Sequence, residues 1–206
     1  MKLGIMGSEA NRSRFFEAVG ADKVASAEIC HGRSAPRANL ADAGKIIARA
    51  DGLVTSARNL FLSVTVADCF PVYFFDAPSQ TVGLAHAGWR GIAAGIITGI
   101  IKTMAVDPKN ILCGIGPGIR QDHFEIKGDV AAVFGGYSDN ISNRQGKIFL
   151  DLPEVITKQL LAAGLQSANI EAAEECTYCE AGKYFSYRRD HPEQMQAMAA
   201  YIGLTG

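Results

Sequence analysis

Cys69 and His86 are the residues of this sequence best placed to do chemistry. Asp68-Cys69 follows an apolar, β-branched segment, and His86 lies in segment 85–91 (AHAGWRG), just before a predicted helix. Side chains at strand ends commonly face a cleft. A cysteine there can serve as a nucleophile or a metal ligand, in both cases as the thiolate. A buried thiol that acts as a small apolar residue is the structural alternative.

His31, in segment 30–33 (CHGR), extends this pair to three donors. Taken alone, His31 is most simply a surface histidine. With Cys69 and His86 it gives a His2Cys set, which leaves one position of a zinc ion open, as a catalytic zinc requires. The same donors also suit copper. Because the three residues are far apart in the sequence, their spacing does not decide whether they meet.

Two arginines and one carboxylate are candidates for handling a substrate. Arg90 lies where glycines precede a predicted helix, a setting that favours an anion such as phosphate; a structural turn with Trp89 in the core is the alternative. Arg188 belongs to the short basic cluster 187–190 (YRRD), which could contact an anionic substrate, although pairing of one of its arginines with Asp190 is the simpler expectation. Asp68 is a candidate for proton transfer.

The cysteines and histidines also exclude several classes of site. The chain has 5 cysteines, an odd number, and no secretory signal, which argues against a disulfide framework. The CxxC at 176–179 lacks the second cysteine pair usual in structural zinc sites, so we predict a turn near the site with one or both thiols buried. The signature of cytidine-type deaminases is absent. With 4 histidines the chain cannot supply a complete multicopper site.

Composition predicts one soluble domain over residues 1–206. The sequence is 48% hydrophobic, and its formal net charge of −1 offers no electrostatic footprint for nucleic acid or an anionic membrane. No apolar run has the length of a signal peptide or of a membrane span. We therefore expect a cytoplasmic protein with neither nucleic acid nor membrane as its partner.

Periodicity predicts an α+β layered domain, because helical and strand signals alternate irregularly. The predicted helices cover 11–19, 40–49 (with Ile46 and Ile47 on its buried side), 92–104, and 153–163, the last capped by Asp151. The predicted strands cover 23–30, 60–66, 71–75, 81–85, 111–115, 170–173 and 184–187, and segment 194–204 is ambiguous.

Several motifs in one order resemble the laccase-domain family, long labelled polyphenol oxidase. They are TVADCFPV (65–72), AHAGWRG (85–91), Gly116-Pro117, and the stretch from CTYC (176–179) through FSYRRD (185–190); ADGLVT (50–55) also fits. The resemblance extends from about Ser8 to near the C-terminus. It implies a layered α/β/β/α fold similar to that of certain cysteine hydrolases, with a shorter N-terminal segment than is usual for the family.

The resemblance also implies a function. It assigns a metal, zinc or alternatively copper, to His31, Cys69 and His86. Family members resemble purine nucleoside phosphorylases that also deaminate adenosine and cleave methylthioadenosine, and some are named peptidoglycan editing factors. The leading hypothesis is therefore phosphorolysis of purine nucleosides by a monomer or homodimer, with Arg90 and Arg188 binding substrate.

Three alternatives remain open from the sequence. Cys69 as nucleophile with His86 as base would make a cysteine hydrolase or amidase acting on a peptidoglycan precursor. A copper ion in the same site would make a polyphenol oxidase (laccase). A metal-binding or interaction protein without catalytic activity is the third.

Overall fold

The computed structural model describes residues 1–6, 16–17, 19–191, 193 and 196–206. The strands of this part of the chain are β1 (Lys2–Met6), β2 (Val24–Ala27), β3 (Ile46–Ile47), β4 (Gly52–Thr55), β5 (Phe61–Val66), β6 (Phe70–Asp76), β7 (Thr81–Ala87), β8 (Ile111–Ile115), β9 (Glu125–Ile126), β10 (Ile141–Arg144), β11 (Lys147–Leu150), β12 (Ile170–Ala172) and β13 (Met198–Gly203). The α-helices are α1 (Trp89–Ala94), α2 (Ile96–Met104), α3 (Gly128–Val133), α4 (Leu152–Ala162) and α5 (Tyr187–Asp190). Short 3-10 helices cover Ala21–Lys23, Leu40–Asp42, Pro108–Asn110, Gly135–Asn140 and Ser167–Asn169.

Two five-stranded mixed sheets make up most of the fold. Sheet 1 has the order β1-β13-β5-β2-β3, with β2 parallel to both of its neighbours. Sheet 2 has the order β12-β8-β6-β7-β4, in which only β12 and β8 are parallel. A small antiparallel sheet has the order β10-β11-β9.

Strand β6 shows how the layers are packed. Its side chains alternate, as the pleat of a strand requires. Phe70, Val72 and Phe74 belong to a core shared with the isoleucines of α2 and with α4. Tyr73 and Phe75 face the other way, into a second core that contains residues of β5 and β13 from sheet 1. Sheet 2 is therefore covered on both faces, which explains why β6 and β7 read as nearly continuous apolar runs.

The outer face of sheet 1 carries a third, smaller cluster. Val24, Phe61 and Ala199 are buried there against the helical residues Phe16 and Val19. The order of layers is thus helices, sheet 2, sheet 1 and helical residues, and the layered α+β architecture predicted from the sequence is confirmed. Within the described part of the chain, no helix combines the length and the apolarity needed to span a membrane.

The helix predicted over 40–49 is wrong. Asn39 caps a single 3-10 turn, and Gly44 then takes a left-handed backbone (φ 77°) that ends any helical path. Ile46–Ile47 instead pairs in parallel with β2, and Ile46 is 72% exposed rather than buried. Tertiary pairing with β2 has overridden a local pattern that resembled one face of a helix.

Other boundaries also differ from the prediction. The helix predicted over 92–104 begins earlier and is divided at Gly95, whose φ is 91°. The strand predicted over 184–187 is wrong, because the Ser186 hydroxyl accepts a hydrogen bond from the backbone of Arg189 and starts helix α5. Segment 194–204 contains β13, and the helix over 153–163 is confirmed with its Asp151 cap. The helix predicted over 11–19 lies mostly outside the described residues.

Candidate metal centre

His31, Cys69 and His86 meet at one end of the two-sheet sandwich. His31 follows β2 of sheet 1, Cys69 lies in the connection that crosses from β5 to β6, and His86 lies near the end of β7. Their ligand atoms all lie within 4.8 Å of one another. The two imidazole rings are nearly perpendicular, with their centroids 5.1 Å apart. The fold thus brings together three donors that the sequence could only propose as a set.

Two of the turns that present these donors have a left-handed backbone at residues other than glycine. His31 has φ 60°, and Asp68, which precedes Cys69, has φ 79°. Such conformations cost of order 1–3 kcal/mol each and persist only where the surroundings fix them. Three hydrogen bonds fix Asp68: its carboxylate accepts from Thr177 Oγ1 and the Arg188 backbone, both at 2.7 Å, and its carbonyl accepts from Ile119.

Asp51 fixes the turn at His31. This carboxylate is fully buried, and it accepts hydrogen bonds from the backbone N–H groups of Cys30 (3.1 Å) and Gly32 (2.8 Å) and from the Cys30 thiol (3.0 Å). The Asp51 carbonyl also accepts the backbone N–H of His86 at 2.7 Å. One aspartate therefore positions both histidines. The sequence analysis did not identify Asp51 as a site residue. A single acidic residue directly before an apolar strand is the pattern that could have indicated it.

The surroundings of His86 favour the neutral imidazole, the form that can bind a metal. Its side chain is buried, and its Nδ1 atom has no hydrogen-bond partner among the described residues. Burial, followed by the nearby His31, lowers the pKa of His86 to about 4, against the opposing charge of Asp51. A buried polar atom without a partner needs an explanation, and a neutral imidazole is the form that binds a metal.

The surroundings of Cys69 favour its thiol form over the thiolate when no metal is bound. Desolvation, with a contribution from the Asp68 carboxylate, raises the pKa of Cys69 to about 12, and Arg90 opposes the shift. These two shifts favour a neutral thiol beside a neutral imidazole over the thiolate–imidazolium pair that a cysteine hydrolase uses. A coordinated cation, by contrast, deprotonates a ligating thiol outright.

Gly88 keeps the space beside Cys69 and His86 clear. A Cβ at this position would lie 2.8 Å from Cys69 Sγ, closer than a side chain tolerates, and 3.4 Å from His86 Cε1, which is an ordinary contact. The donor set, the unpaired nitrogen and this cleared space all fit a soft or borderline ion such as zinc or copper.

These donors line a pocket of about 580 Å³, a size typical of small-molecule sites. Asp68, Arg90 and Arg188 line it too, together with Trp89, Phe124 and Tyr187. Arg90 is exposed, and its guanidinium lies 4.4 Å from the centre of the Trp89 ring. Part of the hydrogen-bonding capacity of the Arg188 guanidinium is already used, since it donates to the carbonyl oxygens of His123 (3.2 Å) and Glu125 (3.0 Å).

The CxxC segment forms the predicted turn near the site. The Cys179 N–H donates to the Cys176 carbonyl at 3.1 Å; Cys176 is buried and Cys179 is exposed. Arg189 makes the predicted pair with Asp190, through two hydrogen bonds of 2.7 and 2.8 Å. Sequence reasoning missed His123, which lies 3.2 Å from Cys179, because only a second pair of cysteines was considered.

The fold and this site define a layered α+β protein with a His2Cys donor group in a small-molecule pocket. Residues 8–205 match the family model described as multi-copper polyphenol oxidoreductase laccase. The chain belongs to this family, as the sequence motifs predicted.

Relatives and a solved structure support the assignment. The chain is 32% identical to purine nucleoside phosphorylase YfiH of Escherichia coli K12, over 95% of this chain and 80% of that protein. It is also 32% identical to adenosine deaminase RL5 of an unknown prokaryotic organism, over 68% of this chain and 56% of that protein. The crystal structure of YlmD from Geobacillus stearothermophilus superposes with a TM-score of 0.89 at 31% identity, covering 95% and 79% of the two chains.

Proposed function

We propose that this protein is a metal-dependent purine nucleoside phosphorylase with adenosine deaminase as a side activity. The observation that carries the proposal is the convergence of His31, Cys69 and His86 in the same pocket as two arginines. The names of the relatives supply the reaction class, and adenosine, inosine and methylthioadenosine are the proposed nucleosides.

In the proposed reaction an oxygen of inorganic phosphate attacks C1′ of the ribose. The bond from C1′ to the purine nitrogen breaks, the base leaves with its electron pair and takes up a proton, and ribose 1-phosphate forms. When bound by His31, Cys69 and His86, zinc would act as a Lewis acid and, for deamination, would lower the pKa of a water molecule.

The other pocket residues have distinct roles in the proposal. Arg90 has an exposed guanidinium at the pocket and binds phosphate. Arg188 retains donors beyond those that hold the His123 and Glu125 carbonyls, and it binds substrate as well. Asp68 accepts one hydrogen bond on each oxygen, which leaves each with a further acceptor position for a substrate proton. Trp89 and Phe124 offer aromatic surface for the purine.

Copper-dependent phenol oxidation is less well supported. The chain has 4 histidines, and they are divided between places: His31 and His86 in this site, His123 beside the CxxC turn, and His191 after α5. A multicopper oxidase needs many imidazoles around a single cluster in addition to its blue-copper site. A single copper ion in place of zinc at the His2Cys group remains an alternative for the identity of the metal.

The test is incubation of purified, zinc-loaded protein with inosine, with and without phosphate, followed by chromatography for hypoxanthine and ribose 1-phosphate. Phosphate-dependent products are expected from the wild type, and Cys69→Ala and His86→Ala should abolish them. Cys113→Ala and His191→Ala are the matched controls, because both residues lie outside the pocket. Removal of the metal by a chelator should stop the reaction, and added zinc should restore it.

Product formation without phosphate would favour hydrolysis. If folded, metal-loaded protein acted on none of the three nucleosides, the phosphorylase proposal would be wrong. Metal-independent cleavage of an amide that Cys69→Ala removes would support the cysteine hydrolase in its place.

A further inference from the structure

His123, Cys176 and Cys179 form a second group of donors outside the pocket. Their ligand atoms all lie within 4.8 Å of one another, and Cys179 Sγ is 3.2 Å from His123 Nε2. None of the three lines the pocket that contains His31, Cys69 and His86. We propose that this group is a second metal site, which binds zinc or a similar ion and supports one wall of the pocket.

The backbone around the two cysteines is already arranged for a metal. The N–H groups of Cys179 (3.1 Å) and Glu180 (3.0 Å) both donate to the Cys176 carbonyl, and this turn brings the two thiols together. The backbone N–H of Arg120 points at Cys176 Sγ, at 3.4 Å. An N–H group donating to sulfur stabilises the thiolate, the form in which cysteine binds metal.

His123 is held in place on three sides. Its ring is stacked on that of Tyr178, with centroids 4.1 Å apart and planes 13° from parallel. Its backbone N–H donates to the Arg120 carbonyl, and its carbonyl accepts from the Arg188 guanidinium. The stacking and the two backbone hydrogen bonds fix the position of His123, whose Nε2 lies beside Cys179 Sγ.

Two thiolates and one imidazole are donors that zinc prefers. The site would join two loops, one after β8 and one after β12, which already meet where Thr177 N–H donates to the Gly118 carbonyl at 3.1 Å. Cys179 is exposed, so we expect a water molecule from solvent to complete a tetrahedral set.

The segment from Cys176 to Asp190 connects the second group of donors to the wall of the pocket. Thr177, next to the ligand Cys176, and Arg188 both bind the Asp68 carboxylate, and Asp68 precedes the ligand Cys69. Tyr187 and Arg188 line the pocket. A metal at His123, Cys176 and Cys179 would therefore stabilise the wall of the pocket that holds Asp68, without contacting substrate.

Metal stoichiometry tests this inference independently of any enzymatic activity. Protein kept reduced is loaded with zinc, dialysed and analysed by mass spectrometry of the metal. We expect about two zinc ions per chain in the wild type, about one in either Cys69→Ala or Cys179→Ser, and none in the double variant. Cys113→Ala, which removes a buried cysteine outside both groups, should keep both ions.

Cobalt provides a second readout. In the Cys69→Ala chain loaded with Co²⁺, we expect a thiolate-to-cobalt charge-transfer band from the second group, and Cys179→Ser should weaken it strongly. If Cys179→Ser does not fold, as judged by circular dichroism, Cys179→Ala takes its place in the Cys69→Ala chain. One zinc ion in the wild type with none in Cys69→Ala, no cobalt band, or a Cys176–Cys179 disulfide without metal uptake after reduction would each overturn the proposal.

Discussion

The hydroxyl of Thr177 donates a 2.7 Å hydrogen bond to the carboxylate of Asp68, and both residues are buried. Asp68 precedes Cys69 in the sequence, and Thr177 follows Cys176. This single bond therefore connects the candidate metal centre to the second group of donors across 109 residues of sequence.

Thr177→Val should break this connection while keeping the shape of the side chain. The change leaves one acceptor position of a buried carboxylate unsatisfied, so we expect the free energy of unfolding to fall by about 1–3 kcal/mol. Urea denaturation measures it. Thr98→Val removes an exposed hydroxyl and should change stability by less than about 0.5 kcal/mol. Equal effects of the two variants would contradict this role of Thr177.

Asp51→Asn should weaken metal binding at His31, Cys69 and His86. An amide cannot accept all three hydrogen bonds that the carboxylate receives from Cys30 and Gly32, so the turn that presents His31 loosens. Loss of such supporting contacts typically costs about 10- to 100-fold in metal affinity. Competition with a chelator measures the affinity.

Asp76→Asn is the matched control for Asp51, because it also replaces a buried carboxylate but at the far end of β6. Its zinc affinity should equal that of the wild type. If both variants lost affinity to the same extent, the effect of Asp51 would be general destabilisation.

Gly88→Ala should exclude the metal without unfolding the protein. The added methyl group would lie 2.8 Å from Cys69 Sγ, so the thiol must shift and the arrangement of the three donors should be lost. We expect zinc bound at the His2Cys group to be lost, measured in a Cys179→Ser background so that one site is counted. Gly128→Ala, whose new methyl group would have no neighbour within 4 Å, should retain the ion.

Arg90→Gln tests the proposed phosphate site. Loss of a charged hydrogen bond to the anion should raise KM for phosphate by about 10- to 100-fold, with a smaller change in KM for inosine. Arg58→Gln is the control, since that guanidinium donates to the Thr205 carbonyl outside the pocket. An unchanged KM for phosphate would remove Arg90 from the phosphate site.

Stability should depend on pH through Asp190. Hydrogen bonding from Arg189 holds the pKa of Asp190 below its ordinary value, so the ionised carboxylate stabilises the folded state. This contribution is complete above the unfolded pKa of about 3.9 and is lost as pH falls through the lower folded value. The melting temperature of Asp190→Asn should therefore lie below that of the wild type at about pH 7 and approach it at about pH 2.5. Asp139→Asn, at an exposed aspartate, should show no such convergence.

The sequence by itself identified the candidate donor side chains and the strands that flank them. Cys69 and His86 could be recognised because β5, β6 and β7 are apolar, β-branched runs whose ends are local and visible in sequence. Local signals also predicted the Asp151 cap and the turn at the CxxC, since caps and tight turns depend on a few neighbouring residues.

Only the tertiary structure decided which of these side chains meet. The β5–β6 connection crosses from one sheet to the other, and that crossing places Cys69 beside His31 and His86. Asp51 and His123 escaped sequence reasoning because their partners lie 19 or more residues away. The same reason explains why the helix predicted over 40–49 is wrong. Pairing of this segment with β2 outweighed its local helix propensity, and contacts between distant segments produce no local sequence pattern.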